Sequence, residues 1–246
     1  MKNSILRLIN EISNKFGYTV KVSNNTGKKY DTIYTSSLYS PWNTDDEFIS
    51  VYNIIKENTL VDVRRCYEMW ELMEQTIKLQ PGIFLEVGVW RGGTGILMAK
   101  KLKYLGDNST MYLADTFTGV VKTSDADSHY TGGEHADTSL EHVEKLAKIL
   151  GVDNIKILKG IYPEDTGHEI KDMPIRFCHI DVDVYESAKD IVLNIWENLV
   201  GGGIIVFDDY GFKSTVGINT FVNEQRKLKD RLVFYNLNGH AIIVKL

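Results

Sequence analysis

The stretch Ile83-Phe-Leu-Glu-Val-Gly-Val-Trp-Arg-Gly-Gly-Thr-Gly95 constrains this chain more than any other. An apolar run, Ile83 to Val87, enters a glycine-rich turn. Apolar residues at Ile96, Leu97, Ala99 and Leu102 then follow at helical spacing. Strand, tight turn, helix is the opening unit of a nucleotide-binding α/β sheet. Glycine lets backbone approach a ligand closely, and the free N–H groups that start a helix favour an anionic or electron-rich group. The dinucleotide fingerprint G-x-G-x-x-G is missing, since the chain reads Gly88-Val-Trp-Arg-Gly-Gly. An acid, Glu86, sits inside the motif instead. That placement suits a cofactor carrying positive charge, such as S-adenosylmethionine with its ammonium and sulfonium, better than a pyrophosphate. Glycine-rich strand-to-helix turns also occur in α/β folds that bind nothing there, so other parts of the chain must decide.

With 246 residues, 43% of them hydrophobic, the chain can bury a full core as one domain with an appendage. A net charge of −5 gives no support for a nucleic-acid partner. No apolar run approaches the ~18 residues of a membrane span, and no signal peptide is evident at the N-terminus. Cys66 and Cys178 lie in apolar patterns without metal-ligand spacing, as buried thiols in a reducing compartment would. A cytoplasmic protein is expected.

Residues 1–16 carry an apolar helical stripe, and Asn24-Asn-Thr-Gly27 reads as a hairpin turn. The polar and aromatic segment 36–45 is either a substrate lid or a surface connection packing a few aromatics. A helix cap is expected at Thr44 or Asp45. Residues 1–60 are thus assigned to an N-terminal helical or lid extension and residues 61–246 to the α/β domain. Val61 to Leu79 is a helix whose large apolar residues, Trp70 among them, pack on the sheet.

Further strands are expected at 111–115, 155–160, 177–181 and 203–208, with helices from Thr138 to Leu150, after Asp183, and over 216–229. Asp115 ends the second strand, where an acid either accepts hydrogen bonds from ribose hydroxyls or caps the next loop. Gly160 ends the third strand and admits a flat group. Residues 120–139 form a long polar loop of the kind that is often functional. His135 lies in it, either touching substrate or simply solvated. The tail forms two apolar runs around Asn238-Gly239, a hairpin signal, so the last two strands are antiparallel. The pattern defines a mostly parallel seven-stranded sheet of the Rossmann-like methyltransferase type, closed by an antiparallel C-terminal hairpin.

Strand four ends at Asp181, followed by Asp183, and strand five ends at Asp208-Asp209. In a doubly wound sheet these ends are neighbours, and ligands bind in the crevice beside them. Like charges gathered there repel and raise one another's pKa. A hard divalent cation such as Mg²⁺ relieves this, and Asp181, Asp208 and Asp209 are its expected ligands. The bland alternative is that these acids cap helices or pair with Lys189, Lys213 or Arg91.

These residues together resemble the macrocin O-methyltransferase family, S-adenosylmethionine- and metal-dependent enzymes that methylate sugar hydroxyls on glycosylated products. The resemblance runs from about Val61 to Gly211. It is carried by Leu85-Glu-Val-Gly-Val-Trp-Arg-Gly-Gly93, Ala114-Asp-Thr-Phe-Thr-Gly119, Ile180-Asp-Val-Asp-Val-Tyr-Glu-Ser187 and Gly202-Gly-Ile-Ile-Val-Phe-Asp-Asp-Tyr-Gly211. It implies that Glu86, Gly88 and Arg91 hold the methionine part of the cofactor, Asp115 the ribose, and Gly160 with Ile161 the adenine side. It also implies Mg²⁺ on Asp181, Asp208 and Asp209, a small-molecule or glycan acceptor, and a homo-oligomer, a dimer. Related catechol-type enzymes carry a lysine three residues after the first aspartate, where this chain has Val184, so Asp181 itself or His135 is the expected base. A phenol or phosphorus-linked acceptor is the main alternative. A nucleotide-cofactor oxidoreductase and a non-catalytic binding module are the others.

Overall fold

The computed structural model describes residues 37–246 together with positions 9, 12, 13, 15 and 29–33. The chain divides into two compact units, Met1–Ser37 and Leu38–Leu246, and the second holds the sheet with its helices. Apart from isolated positions, the helical stripe expected over 1–16 lies outside the described residues, as does the turn expected at 24–27. The boundary expected at 60/61 falls inside the second unit. Helix α1 (Asp46–Ile55) buries Phe48, Val51 and Ile55 in the same core as α2 (Val63–Thr76) and α3 (Gly93–Tyr104).

Helices α1, α2 and one that follows the long loop start where an N-cap side chain satisfies a free N–H group. Asp45 accepts from Phe48 N and opens α1. Asp62 accepts from Arg64 N and opens α2. Ser139 accepts from His142 N and opens α4 (Leu140–Leu150), which ends on Gly151 in a left-handed conformation. Asp45 also accepts from the Trp70 indole N–H at 3.1 Å, and the Lys101 ammonium lies 4.6 Å from the Trp70 ring. Trp70 is therefore a buried strut between α1, α2 and α3. Removing such a ring typically costs about 3–5 kcal/mol. The described residues of the 36–45 segment pack as a connection, with Trp42 edge-on to Tyr67. None of them lines the cavity described below.

Strands β1 (Ile83–Val87), β2 (Met111–Asp115), β3 (Ile155–Lys159), β4 (Ile175–Ile180) and β5 (Leu199–Phe207) run parallel, with β6 (Arg231–Tyr235) and β7 (Ala241–Lys245) completing a seven-stranded sheet. Its order is β3-β2-β1-β4-β5-β7-β6, and β7 is antiparallel to both its neighbours. The connection between β6 and β7 is longer than the two-residue turn expected at Asn238-Gly239. Tyr235 pairs with Ala241, so residues 236–240 form the loop. The Asn236 side chain accounts for the difference, because its carbonyl accepts from the N–H groups of both Asn238 and His240 and substitutes for backbone pairing.

Strand residues alternate between two helical layers. Phe84, Leu113, Phe177 and Val206 face α1 to α4, whereas Leu85, Ala114, Cys178, Ile180 and Phe207 face α5 (Tyr185–Ile195) and α6 (Val216–Gln225). Burial on both sides is what a parallel sheet requires, and it explains why β1, β4 and β5 read as apolar runs without alternation.

Candidate active site

A cavity of about 290 Å³ opens at the carboxyl ends of β1, β2, β4 and β5. Its floor is the turn after β1. Gly88 has φ +87°, and a Cβ there would stand 1.8 Å from the Asp181 carbonyl oxygen, so only glycine lets the β1 and β4 exits lie this close. Asp115 fastens the turn from the other side. Its Oδ2 accepts from Val89 N and Trp90 N at 2.7 and 2.8 Å, and its Oδ1 accepts from Phe117 N at 2.6 Å. Oδ2 is thereby filled, Oδ1 keeps one lone pair, and Asp115 lines the cavity. Gly160 and Ile161 line the same cavity beyond β3.

The loop from Thr116 to Thr138 covers this region and is tied down along its length. Lys122 pairs with Asp190 at 2.8 Å and with Glu164. Asp127, 5% exposed, accepts from Ser124 N and Oγ and from Tyr185 N, so a loop carboxylate caps α5. Glu134 gathers the N–H groups of Thr131 and Gly132, which with the Thr131 hydroxyl pull its carboxyl down to about 2. Tyr130 donates to Asp183, and the His135 Nε2 stands 4.0 Å from the other oxygen of Asp183. Both rings line the cavity.

Asp181, Asp208 and Asp209 converge as the strand ends foretell, each offering a carboxylate oxygen within 4.8 Å of the others. Burial, followed by the charges of Asp208 and Asp209, pushes the Asp181 carboxyl well above the usual carboxylate range. Burial, Asp183 and Asp208 do the same to Asp209. Asp208 goes the other way. Burial opposes its ionisation, but His179, His240 and Arg65 outweigh burial and hold it below that range. The set is all oxygen, with Asp208 and Asp209 buried and Asp181 half-buried, and among the described residues only Asp208 of the three forms ion pairs, which fits a hard dication.

Behind the carboxylates lies a row of polar side chains on one face of the sheet. Glu86 on β1 is opposite His179 on β4 and accepts from its Nδ1 at 2.9 Å, while also accepting from the Thr94 hydroxyl at 2.6 Å. Asp208 follows β5 and His240 precedes β7, and the His240 Nε2 donates to Asp208 Oδ1 at 2.9 Å. From α2, Arg65 donates to Asp208 Oδ2 at 2.6 Å, and Glu68 meets the His240 Nδ1.

Of the residues expected to form the site, Gly88, Asp115, Gly160, Ile161, Asp181, Asp208, Asp209 and His135 line one cavity. Glu86 and Arg91 do not. Glu86 is fully buried on the α3 side of the sheet, where it holds Thr94 and His179 rather than facing the cavity. Arg91 turns outward, pairing with Asp137 and lying 4.4 Å over the Trp90 ring. The sequence reading also missed Asn58, Thr59, Leu60, Arg65, Tyr130 and Phe212, all of which line the cavity. Their partners are distant in sequence, so no local spacing signals them.

This sheet order, the antiparallel β7 and a cavity at the exit of β1 define a Rossmann-like class I methyltransferase fold. A family model described as Macrocin-O-methyltransferase (TylF) matches residues 43–237, and the chain belongs to that family. The 8-demethyl-8-(2,3-dimethoxy-alpha-L-rhamnosyl)-tetracenomycin-C 4'-O-methyltransferase of Streptomyces olivaceus is 33% identical over 141 residues, covering 53% of each chain. Mycinamicin III 3''-O-methyltransferase of Micromonospora griseorubida is 28% identical over 166 residues, covering 62% of this chain and 65% of the relative. The chain thus spans about half to two thirds of the length of these relatives. Among solved structures, the O-methyltransferase NovP superposes with a TM-score of 0.65 at 22% identity, covering 76% of this chain and 82% of NovP. Calicheamicin methyltransferase CalS11 gives 0.61 at 17% identity, covering 86% and 99%. No helix among the described residues is long and apolar enough to cross a membrane.

Proposed function

We propose that this chain methylates a hydroxyl of a sugar or glycosylated metabolite, using S-adenosylmethionine and a divalent cation, Mg²⁺, held by Asp181, Asp208 and Asp209. The observation that carries the reading is the convergence of these three carboxylates in the lining of a cavity floored by the glycine-rich turn. Membership of a family of O-methyltransferases supports the reaction, and the sugar-modifying activities named for the relatives support the acceptor class.

Within this reading, Gly88 lets the donor approach the backbone, the free lone pair of Asp115 accepts from a ribose hydroxyl, and Gly160 with Ile161 forms the wall for the adenine. When bound, S-adenosylmethionine supplies an electrophilic methyl group, and the cation supplies Lewis acidity that lowers the pKa of the acceptor hydroxyl. The protein's own contribution is chiefly placement, which converts an encounter of two reactants into an intramolecular event. Asp181, which lines the cavity and carries no hydrogen bond that ties up its carboxylate among the described residues, is the first candidate to receive the hydroxyl proton. His135, beside Asp183 on the covering loop, closes the acceptor side and is the second candidate for that proton.

The test is methyl transfer from labelled S-adenosylmethionine to a panel of glycosides, before and after chelation and in Asp181→Asn. Transfer should require the cation and fall by at least about 100-fold in Asp181→Asn, with S-adenosylhomocysteine binding retained. Undiminished turnover after chelation, together with a fully active Asp181→Asn, would remove both the cation and the base from the account.

A further inference from the structure

Asp208 is the most heavily braced of the three carboxylates. Its Oδ1 takes the His240 Nε2 proton at 2.9 Å, and its Oδ2 takes Arg65 Nη1 at 2.6 Å. The same Arg65 nitrogen reaches the Asp208 carbonyl at 3.2 Å, and Arg65 Nε is held by Asp62 at 2.8 Å. The imidazole of His240 is fully buried, and Glu68 on α2 receives its Nδ1. The carboxylate therefore cannot rotate without breaking two bonds from two different elements. Among the described residues the Asp181 carboxylate has no such brace, and the Asp209 carboxylate accepts only the backbone N–H of Asp183, at 3.1 Å. Each oxygen of Asp208 keeps a lone pair after these bonds.

We propose that Arg65 and His240, with Glu68 behind His240, are positioning residues for the cation site, holding Asp208 so that its remaining lone pairs face the space between Asp181 and Asp209. This rests on the reading of the three aspartates as cation ligands. Groups that orient a ligating carboxylate or imidazole typically matter by 10–100-fold in metal affinity, because an unbraced ligand loses rotational freedom on each binding event. The two hydrogen bonds of the brace come from α2 and the β6–β7 hairpin, outside the strands that carry the ligands, while His179 of β4 stands 3.8 Å from Asp208 Oδ1.

A purely structural role for His240 is separated from this one by comparing variants that differ in a single donor. Free Mn²⁺ is counted by electron paramagnetic resonance during titration of wild-type protein, His240→Leu, His240→Gln and Glu68→Gln, with S-adenosylhomocysteine affinity measured alongside. His240→Leu should bind Mn²⁺ about 10-fold or more weakly while keeping its S-adenosylhomocysteine affinity, and His240→Gln, which keeps a donor near the Nε2 position, should recover to within about threefold of wild type. Glu68→Gln, at a partly exposed position, should lie between these, and it decides the matter alone if His240→Leu does not fold. Wild-type affinity for Mn²⁺ in both His240→Leu and Glu68→Gln, or equal losses in His240→Leu and His240→Gln, overturns the positioning role. Failure of the wild-type protein itself to bind Mn²⁺ sinks the cation site and the brace with it.

Discussion

Gly217→Ala is the substitution for which helix propensity and packing give opposite signs. Gly217 lies in the first turn of α6, and alanine in a helix is favoured over glycine by up to about 1 kcal/mol. On propensity alone the variant would be more stable. A Cβ at this position, however, would stand 2.0 Å from Asp127 Oδ1 and 3.0 Å from the Cβ of Tyr185. The Asp127 carboxylate must therefore move, and it has nowhere neutral to go. It is 5% exposed and accepts from Tyr185 N at 3.0 Å, Ser124 N at 3.1 Å and Ser124 Oγ at 2.9 Å. Hydrogen bonds to a charged group contribute about 1.5–3 kcal/mol, and losing the cap of α5 lies in the same range. Set against the gain in propensity, the expected outcome is a net destabilisation of about 1–2 kcal/mol. For a domain of this size that lowers Tm by roughly 2–8 °C. Urea denaturation of Gly217→Ala, Asp127→Ala and the double variant measures it. The two losses should be strongly non-additive, since with the carboxylate gone the alanine recovers its helical advantage. A Gly217→Ala protein more stable than wild type would show that the carboxylate relaxes freely, and the tethered-loop account would fail.

Asp107, half-buried, pairs with Arg176 at 2.8 Å. Burial works against ionisation of Asp107, but Ser109 and Arg176 overcome it and hold the carboxyl below its ordinary range. A carboxyl lowered on folding contributes stability that is complete above its unfolded pKa of about 3.9 and is lost as pH falls through the folded value. The gap in urea midpoint between wild type and Asp107→Asn should therefore be widest at neutral pH and close in acid; a gap that widens in acid contradicts the pairing. Cys66 and Cys178 are fully buried, and burial pushes both thiols up. Neither should react with Ellman's reagent until denaturant is added, and rapid labelling of native protein would contradict that burial.

The fold was largely legible because its signals are local. An apolar run entering a glycine turn marks β1, runs closed by acids mark β2, β4 and β5, and the starts expected at Thr44 or Asp45 and at Thr138 lie within two positions of α1 and α4. The three aspartates were legible because a parallel sheet places successive strand ends on one edge. Glu86 shows where that logic stops. Read by motif it belonged to the cofactor, but alternation along β1 places it with Phe84 on the α3 side, opposite to Leu85 and Val87. Arg65 shows a different limit. It lies 143 positions from Asp208 and sits in a helix whose remaining pattern is plainly amphipathic, so nothing near it in sequence marks it as part of a site. Tyr130, in a loop without periodicity, is placed by its bond to Asp183, 53 positions away, together with the loop's other ties.

The direction of β7 has a consequence for how such a site can change. Strands β1 to β5 leave the sheet at the edge where the cavity lies, so each furnishes its last residues and the loop that follows them. Strand β7 arrives at that edge instead, with Ala241 opposite Phe207, and so brings in a residue from before its start. The length of the 236–240 turn decides which side chain is delivered beside Asp208, since a slip of one position would turn the neighbouring side chain to the opposite face. Strand β7 is thus a separate point of entry to the aspartate cluster, open to alteration while β1 and β2 stay as they are.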